Sequence, residues 1–257
     1  MNRVSQPIAA LGLVGVCLLI TAPEAQAQVR WEPSIGLDYS RGSYGAAEDT
    51  EVIYVPVGLR ASTTRWRFDA NVPYLTIEGP AGAVVGGVVI PGAGPVVKRS
   101  GLGDVTLSGT YQLVEPQAGR TQWEVGATVK LPTADDDLGT GKADYQVQLG
   151  VRQPVGDKLT LMGSVGYQWL GDPAAFELED GPTAMLGVNY AATPRRNFGV
   201  QVNYRNEYLA GFEEQVVVNP YFRLDAASGW FVTGYATAGL TETTPDYGVG
   251  FVLGRAF

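Results

Sequence analysis

The sequence predicts an all-β fold, a single antiparallel transmembrane β-barrel of about 12 strands with short periplasmic turns and longer extracellular loops. Three observations predict it. Polar and apolar residues alternate in one segment after another, each of roughly 10 residues, enough for a tilted strand to cross a bilayer. Apolar rows often close on an aromatic at both ends, as in Trp31/Tyr39, Trp66/Tyr74 and Phe198/Tyr204, where two membrane interfaces would lie. The opposite rows hold Gly, Ser, Thr, Asn and Gln with charges of both signs. That suits a wetted lumen better than the outer face of a soluble β-sandwich, which would carry more Lys and Glu.

The first element is an address. Residues 1–27 have Arg3 at the start, a short apolar run over 8–20, Pro23, and the small-x-small sequence Ala25-Gln26-Ala27. This is the form of a secretory signal peptide, and the apolar run is too short for a comfortable membrane span. Its removal takes away Cys17, the single cysteine, so the remaining chain 28–257 would fold without disulfides.

Strands then follow near 30–40, 51–60, 65–75, 103–114, 122–131, 143–153, 158–169, 182–191, 197–207, 214–224, 230–240 and 247–257. The even count places both termini in the periplasm. The segment 230–240 has aromatics on both faces. Its row Trp230, Val232, Gly234, Ala236, Ala238 and Leu240 is placed against lipid, which leaves Tyr235 inward. Closure of the last strand onto the first is a physical demand, because an open edge in hydrocarbon leaves backbone groups unpaired. The stretch 76–102 reads as a long, apolar, Gly/Pro-rich loop. It is expected to fold over the mouth, into the lumen, or against lipid or lipopolysaccharide, with a short hairpin pairing Val84–Val85 with Val88–Ile90. A gate or collecting site for hydrophobic solutes and a plain structural cap both fit it.

Composition excludes whole classes of chemistry. Histidine is absent, which removes Ser-His-Asp hydrolysis, His-based acid/base work and H-E-x-x-H zinc sites. One cysteine cannot build a thiolate metal site. Lys and Arg total 18 against 26 Asp and Glu, a net charge of −8, which opposes a nucleic-acid partner. No catalytic residue, metal site or cofactor is expected. The acidic loop segments 135–137, 177–180 and 213–214 are read as solvated, with binding of divalent cations that bridge lipopolysaccharide phosphates as the alternative.

The inward rows supply the candidate lumen or constriction residues Arg65, Arg67, Asp69, Glu124, Lys130, Asp144, Arg152, Lys158, Arg205 and Arg223. Lys130 and Asp144 should meet across one hairpin near the outer mouth. Glu124, Arg152 and Lys158 should gather near the periplasmic end. Such charges brace a wall or form a constriction. The inward set is net basic, so an open pore would prefer anions weakly.

The chain ends YGVGFVLGRAF, with Tyr247, Val249, Phe251, Leu253 and Phe257 on one face. This resembles the carboxy-terminal signal by which the barrel assembly machinery recognises outer-membrane barrels. Arg255 stands where an apolar residue is usual, close enough to the rim to snorkel.

Two stretches resemble a particular outer-membrane family, the MetA pathway of phenol degradation, also labelled transporter. Gly101, Gly103 and Asp104 match its GxGD element. Leu131, Pro132 and Thr133 match a strand end, LPT, although Ala134 replaces the usual glycine. Gly139, Thr140, Gly141, Asp144 and Tyr145 match a following GTG element. The resemblance implies an outer-membrane protein that moves aromatic or other apolar compounds, and it implies no catalytic residue. From the residues alone, these positions also read as ordinary strand ends and turns. The expectation is a channel or transporter for small solutes in the cell outer membrane, with lipid and lipopolysaccharide as surroundings. The competing expectation is a structural or adhesion barrel without transport.

Overall fold

The computed structural model describes residues 28–257 apart from 86, 87, 92–94, 136 and 175. The signal-peptide segment 1–27 lies outside the described residues.

The described chain is built of strands: β1 (Arg30–Gly42), β2 (Thr50–Ser62), β3 (Trp66–Gly79), β4 (Ala81–Val85), β5 (Val88–Pro91), β6 (Val97–Leu102), β7 (Thr106–Gln112), β8 (Gln122–Lys130), β9 (Asp144–Val155), β10 (Leu159–Trp169), β11 (Gly181–Thr193), β12 (Arg196–Arg205), β13 (Gln215–Asp225), β14 (Trp230–Gly239) and β15 (Tyr247–Arg255). Neighbours in sequence pair antiparallel around the ring, and β15 returns to β1 through pairs such as Leu37↔Phe251. With β6 and β7 as two halves of one strand, the wall is a closed 12-stranded barrel. Closure leaves no edge around the ring, and only β6 in the outer extension pairs on a single side, so the wall meets the backbone demand of a hydrocarbon surrounding.

Period-two alternation decides which side chain meets which medium. Ile35, Leu37, Val57, Val165 and Leu186 point outward, and Leu186 is 71% exposed. Aromatics belt both ends. Trp66 stacks on Phe68 at 5.4 Å and meets Tyr111 at 4.7 Å near the short turns, and Tyr167 meets Trp169 at 5.0 Å near the long loops. Tyr235 faces inward, the side expected of it.

The stretch 76–102 departs most from its reading as a loop. β3 runs on to Gly79 and pairs with β6, for example Ile77↔Arg99. Beyond them β4 and β5 form a small hairpin with Val84↔Val89 and Val85↔Val88 in register. The hairpin is the one expected from the sequence, whereas glycine and proline, both poor strand signals, hid the β3–β6 pairing. From Asn71↔Thr106 to Tyr74↔Leu102, β3 advances three residues while its partner advances four, a one-residue bulge. The bulge parts β6 from β7, and of these two halves only β7 pairs with β8, whose other neighbour is β9.

Conventional apolar packing sits at the outer rim. Tyr44, Val52, Leu75, Ile77 and Leu138 form one buried nucleus, and Leu178 with Tyr208 forms a second. Ile77 is fully buried. These nuclei fix the outer loops above the lumen.

Candidate functional site

The lumen has two chemically different walls. On the side of β1–β3 and β7–β9, charges alternate in a continuous run at the periplasmic half. Arg60 meets Glu32 at 3.9 Å and Asp69 at 2.6 Å. Arg67 meets Asp69 at 3.6 Å and Glu124 at 3.6 Å, and donates to the Thr110 hydroxyl at 3.2 Å. Glu124 then accepts from Gln112 at 2.7 Å and approaches Arg152 at 3.9 Å. Each carboxylate faces more than one cation, which is how charges inside a barrel avoid standing alone.

The opposite wall, β11–β15, carries rings and amides. Tyr221 lies directly opposite Gly199, Tyr235 opposite Gly250, and Phe231 opposite Gly254. At each glycine a Cβ would collide with the facing ring, so the ring lies flat on bare backbone. Large side chains thereby occupy the wall rather than the bore. Tyr221 donates to Asn189 at 3.0 Å, and Asn203 donates to Asn219 at 2.9 Å. Arg223 bonds Asp225 at 2.9 Å and stands 3.9 Å over the Phe231 ring.

Two of the cavities along this lumen stand one beyond the other. An inner vestibule of about 670 Å³ touches Arg60, Arg152, Arg223, Asn189, Tyr221 and Tyr235. An outer chamber of about 380 Å³ touches Asp38, Gln146, Met185, Arg205 and Val217, and is covered by Tyr44, Thr243, Thr244 and Pro245. Between them, Tyr235 hydrogen-bonds to Asp38, and Asn219 bridges Asn203 and Thr237. Burial pushes the Tyr44 phenol in the cover up to about 12, so it stays neutral at physiological pH.

The remaining sequence candidates fall at different places. Arg65 sits in the β2–β3 turn, at 3.2 Å from the Tyr111 hydroxyl and 3.8 Å from Glu115. Lys158 sits exposed in the β9–β10 turn, where its carbonyl accepts from the Ala191 N–H, so it does not join Glu124 and Arg152. Strand β9 ends at Val155 and β10 starts at Leu159, which leaves Lys158 outside both. Sequence reading missed the three ring-on-glycine pairs, because they depend on register across strands. Alternation alone could have flagged Tyr221 as an inward aromatic.

Lys130 and Asp144 do meet, at 2.9 Å, as direct partners across the β8–β9 hairpin. Asp104 joins them at 3.2 Å, and all three side chains are buried. Asp104 also accepts from the backbone N–H groups of Thr133 and Ala134 at 3.0 and 2.9 Å. Lys130 reaches the Thr140 hydroxyl at 3.2 Å, and Asp144 accepts from the Gly171 N–H at 3.0 Å. Thr133 accepts from the Val105 N–H at 2.9 Å, and Leu131 donates to the Val105 carbonyl at 2.8 Å. A side chain at Gly139 would stand 2.8 Å from Ala134 and 2.9 Å from Asp104. Gly101 is similarly crowded by Asp135 and Leu138, and Gly103 by Leu75 and Pro73. Gly141 turns the chain at φ 66°. Pro132 lies just past the end of β8, and Tyr145 points outward into the aromatic belt. The 101–145 motif is thus one latch. It ties the β8–β9 loop across the gap that the bulge opened beside β6.

Among the described residues no group of three or more His, Cys, Asp or Glu is placed to hold a metal ion. No helix of the described residues is long and apolar enough to cross a membrane, so crossing falls to the strands.

An outer membrane channel from Pseudomonas putida F1 shares this fold, with TM-score 0.69, 13% identity, and coverage of 92% of this chain and 100% of that one. The CymD monoaromatic hydrocarbon channel aligns at TM-score 0.47 and 10% identity, over 88% of this chain and 87% of its own. The β domain of the Bordetella autotransporter BrkA aligns at TM-score 0.49 and 11% identity, over 90% and 100%. No curated protein matches the chain. The family described as "Putative MetA-pathway of phenol degradation" matches residues 43–254, a span that includes the whole latch and all but the ends of the barrel. A closed barrel with belted aromatics, a polar bore and this match make the chain an outer-membrane member of that family.

Proposed function

We propose that the barrel is a channel through which small aromatic or hydrophobic compounds cross the outer membrane passively. The observation that carries this reading is the pair of chambers within one closed wall, separated by side-chain hydrogen bonds around Asp38, Tyr235, Asn203 and Asn219. Such a partition yields to rotamer changes, whereas a strand or loop through the bore would not. Residues 79–97 hold no charged side chain, which supports an apolar collecting site at the outer end. The protein works without catalysis or cofactor in this reading. Lipopolysaccharide is the partner of the outer loops, and Phe257 is the signal read by the assembly machinery. The Phe257 N–H bonds the Trp31 carbonyl at 2.9 Å while its side chain stays exposed, so the terminal ring is presented beside β1.

Purified protein in planar bilayers should give small discrete conductances, and liposomes containing it should take up small aromatics faster than empty ones. Deletion of 80–97 should raise conductance if the ribbon covers the path. A structural or adhesion barrel is the reading favoured by the covered outer end. Liposomes that gain no permeability for any small solute would select it.

A further inference from the structure

We propose that the lumen binds small organic anions of the aromatic carboxylate class, at an outer station on Arg205 and an inner station on Arg152. This rests on reading the barrel as a channel and names the solute chemistry that its bore recognises.

The sign of the two chambers is not inherited from the composition. The whole chain carries −8. Yet the two chambers together present four arginines and one carboxylate among their described lining residues. In the outer chamber the cation is Arg205 and the acid is Asp38. Asp38 already accepts from Tyr235. Arg205 takes part in no ion pair among the described residues, whereas Lys130, one layer outward, is claimed by both Asp104 and Asp144. Burial weighs most on the Arg205 guanidinium, and Asp144 acts on it through space. The guanidinium therefore offers its planar fork of donors to the chamber, the geometry that matches a carboxylate. Met185, Val217 and Tyr44 supply apolar surface beside it. A chamber of about 380 Å³ holds a molecule of one aromatic ring.

The inner vestibule repeats the combination. Three arginines and no carboxylate line it among the described residues. Arg60 is held by Asp69 at 2.6 Å and Arg223 by Asp225 at 2.9 Å. Arg152 is the least committed, with Glu124 at 3.9 Å shared with Arg67 and Gln112. Its charge is felt at Tyr221, whose ring lies flat on Gly199 and lines the same vestibule. A carboxylate on Arg152 would thus find an aromatic face within the same cavity. Two moderate stations in series are what passage requires, since one tight site would hold its solute.

The test is equilibrium binding of sodium benzoate and of benzyl alcohol to the barrel in detergent, by calorimetry, with flux of both in liposomes measured in parallel. Benzoate should bind the native barrel and benzyl alcohol should bind at least about tenfold more weakly. Arg205→Gln and Arg152→Gln should each remove one of two benzoate sites, lowering the stoichiometry from about two to about one, leave benzyl alcohol unchanged, and abolish benzoate binding together. Arg120→Gln, in the exposed β7–β8 turn, should change neither. Heat-dependent gel migration reports folding. Should a Gln variant fail to fold, Arg205→Lys and Arg152→Lys take its place, with benzoate binding expected to weaken severalfold as the fork is lost. The proposal is overturned if the native barrel does not bind benzoate, if it binds benzyl alcohol equally, or if neither arginine matters. Benzoate binding without flux would remove the channel reading and leave the sites. Flux without benzoate binding would do the reverse.

Discussion

The two walls of the lumen solve the same problem by different means. Strands β1–β3 and β7–β9 fill the inward side with interlocked charges from Glu32 to Arg152. Strands β11–β15 fill it with rings laid on glycine and with bridged amides. The ionic wall has rigidity through its network, and each carboxylate has an alternative cation when one is lost. The aromatic wall has shape: its side chains are large, but the facing glycines give them a recess. A barrel of this size thus keeps a bore without leaving polar groups stranded.

At the outer end of the ionic side, Lys130→Met removes the cation between two buried carboxylates, and should cost about 3–5 kcal/mol. Thermal unfolding in detergent should show it. Arg30→Ala, which breaks a pair whose arginine is more than half exposed, should cost under about 1 kcal/mol in the same assay. On the aromatic wall, Gly250→Val places a side chain where the Tyr235 ring now rests, and should drive that ring into the bore. Single-channel conductance should fall by roughly half or more, and Tyr235→Ala added to it should restore the current. An unchanged current would mean the ring-on-glycine pairs do not set the width.

A smaller effect is expected within the charge run. Arg67→Gln leaves Asp69 with Arg60 and Glu124 with Arg152, so stability should fall by only about 1 kcal/mol. The reversal potential in a salt gradient should move toward cation preference. The smallest concerns Tyr44. Burial raises its phenol from 10.0 to about 12, so the folded cover holds its proton more tightly than the open one. Its contribution is complete below about pH 10 and is lost as pH rises through about 12. Conductance should therefore step up in that window, and Tyr44→Phe should remove the step.

Much of this architecture was legible because alternation reports each strand directly. The twelve wall segments, the inward Tyr235 and the Lys130–Asp144 meeting all follow from local pattern plus hairpin adjacency. What stayed hidden depends on register or on non-neighbours. Arg67 reaches Glu124 across the intervening β7, and no local pattern aligns those three strands. Strand β6 was concealed by its Gly/Pro-rich approach. Asp104 reads as the polar start of a strand, and only the fold reveals that it clasps the segment near 133. The same limit misplaced Lys158, since one residue of turn separates an inward charge from a solvated one.

The apolar nuclei at the outer rim divide the maturation of this protein into two acts. A cylinder newly threaded into lipid would own its ladder of backbone bonds yet lack nearly all of its sequestered greasy contacts, because Ile77, Leu138 and Tyr208 find shelter only when the crown of loops settles. Insertion and crowning are then separable events, and injury to the crown should spare the staves beneath.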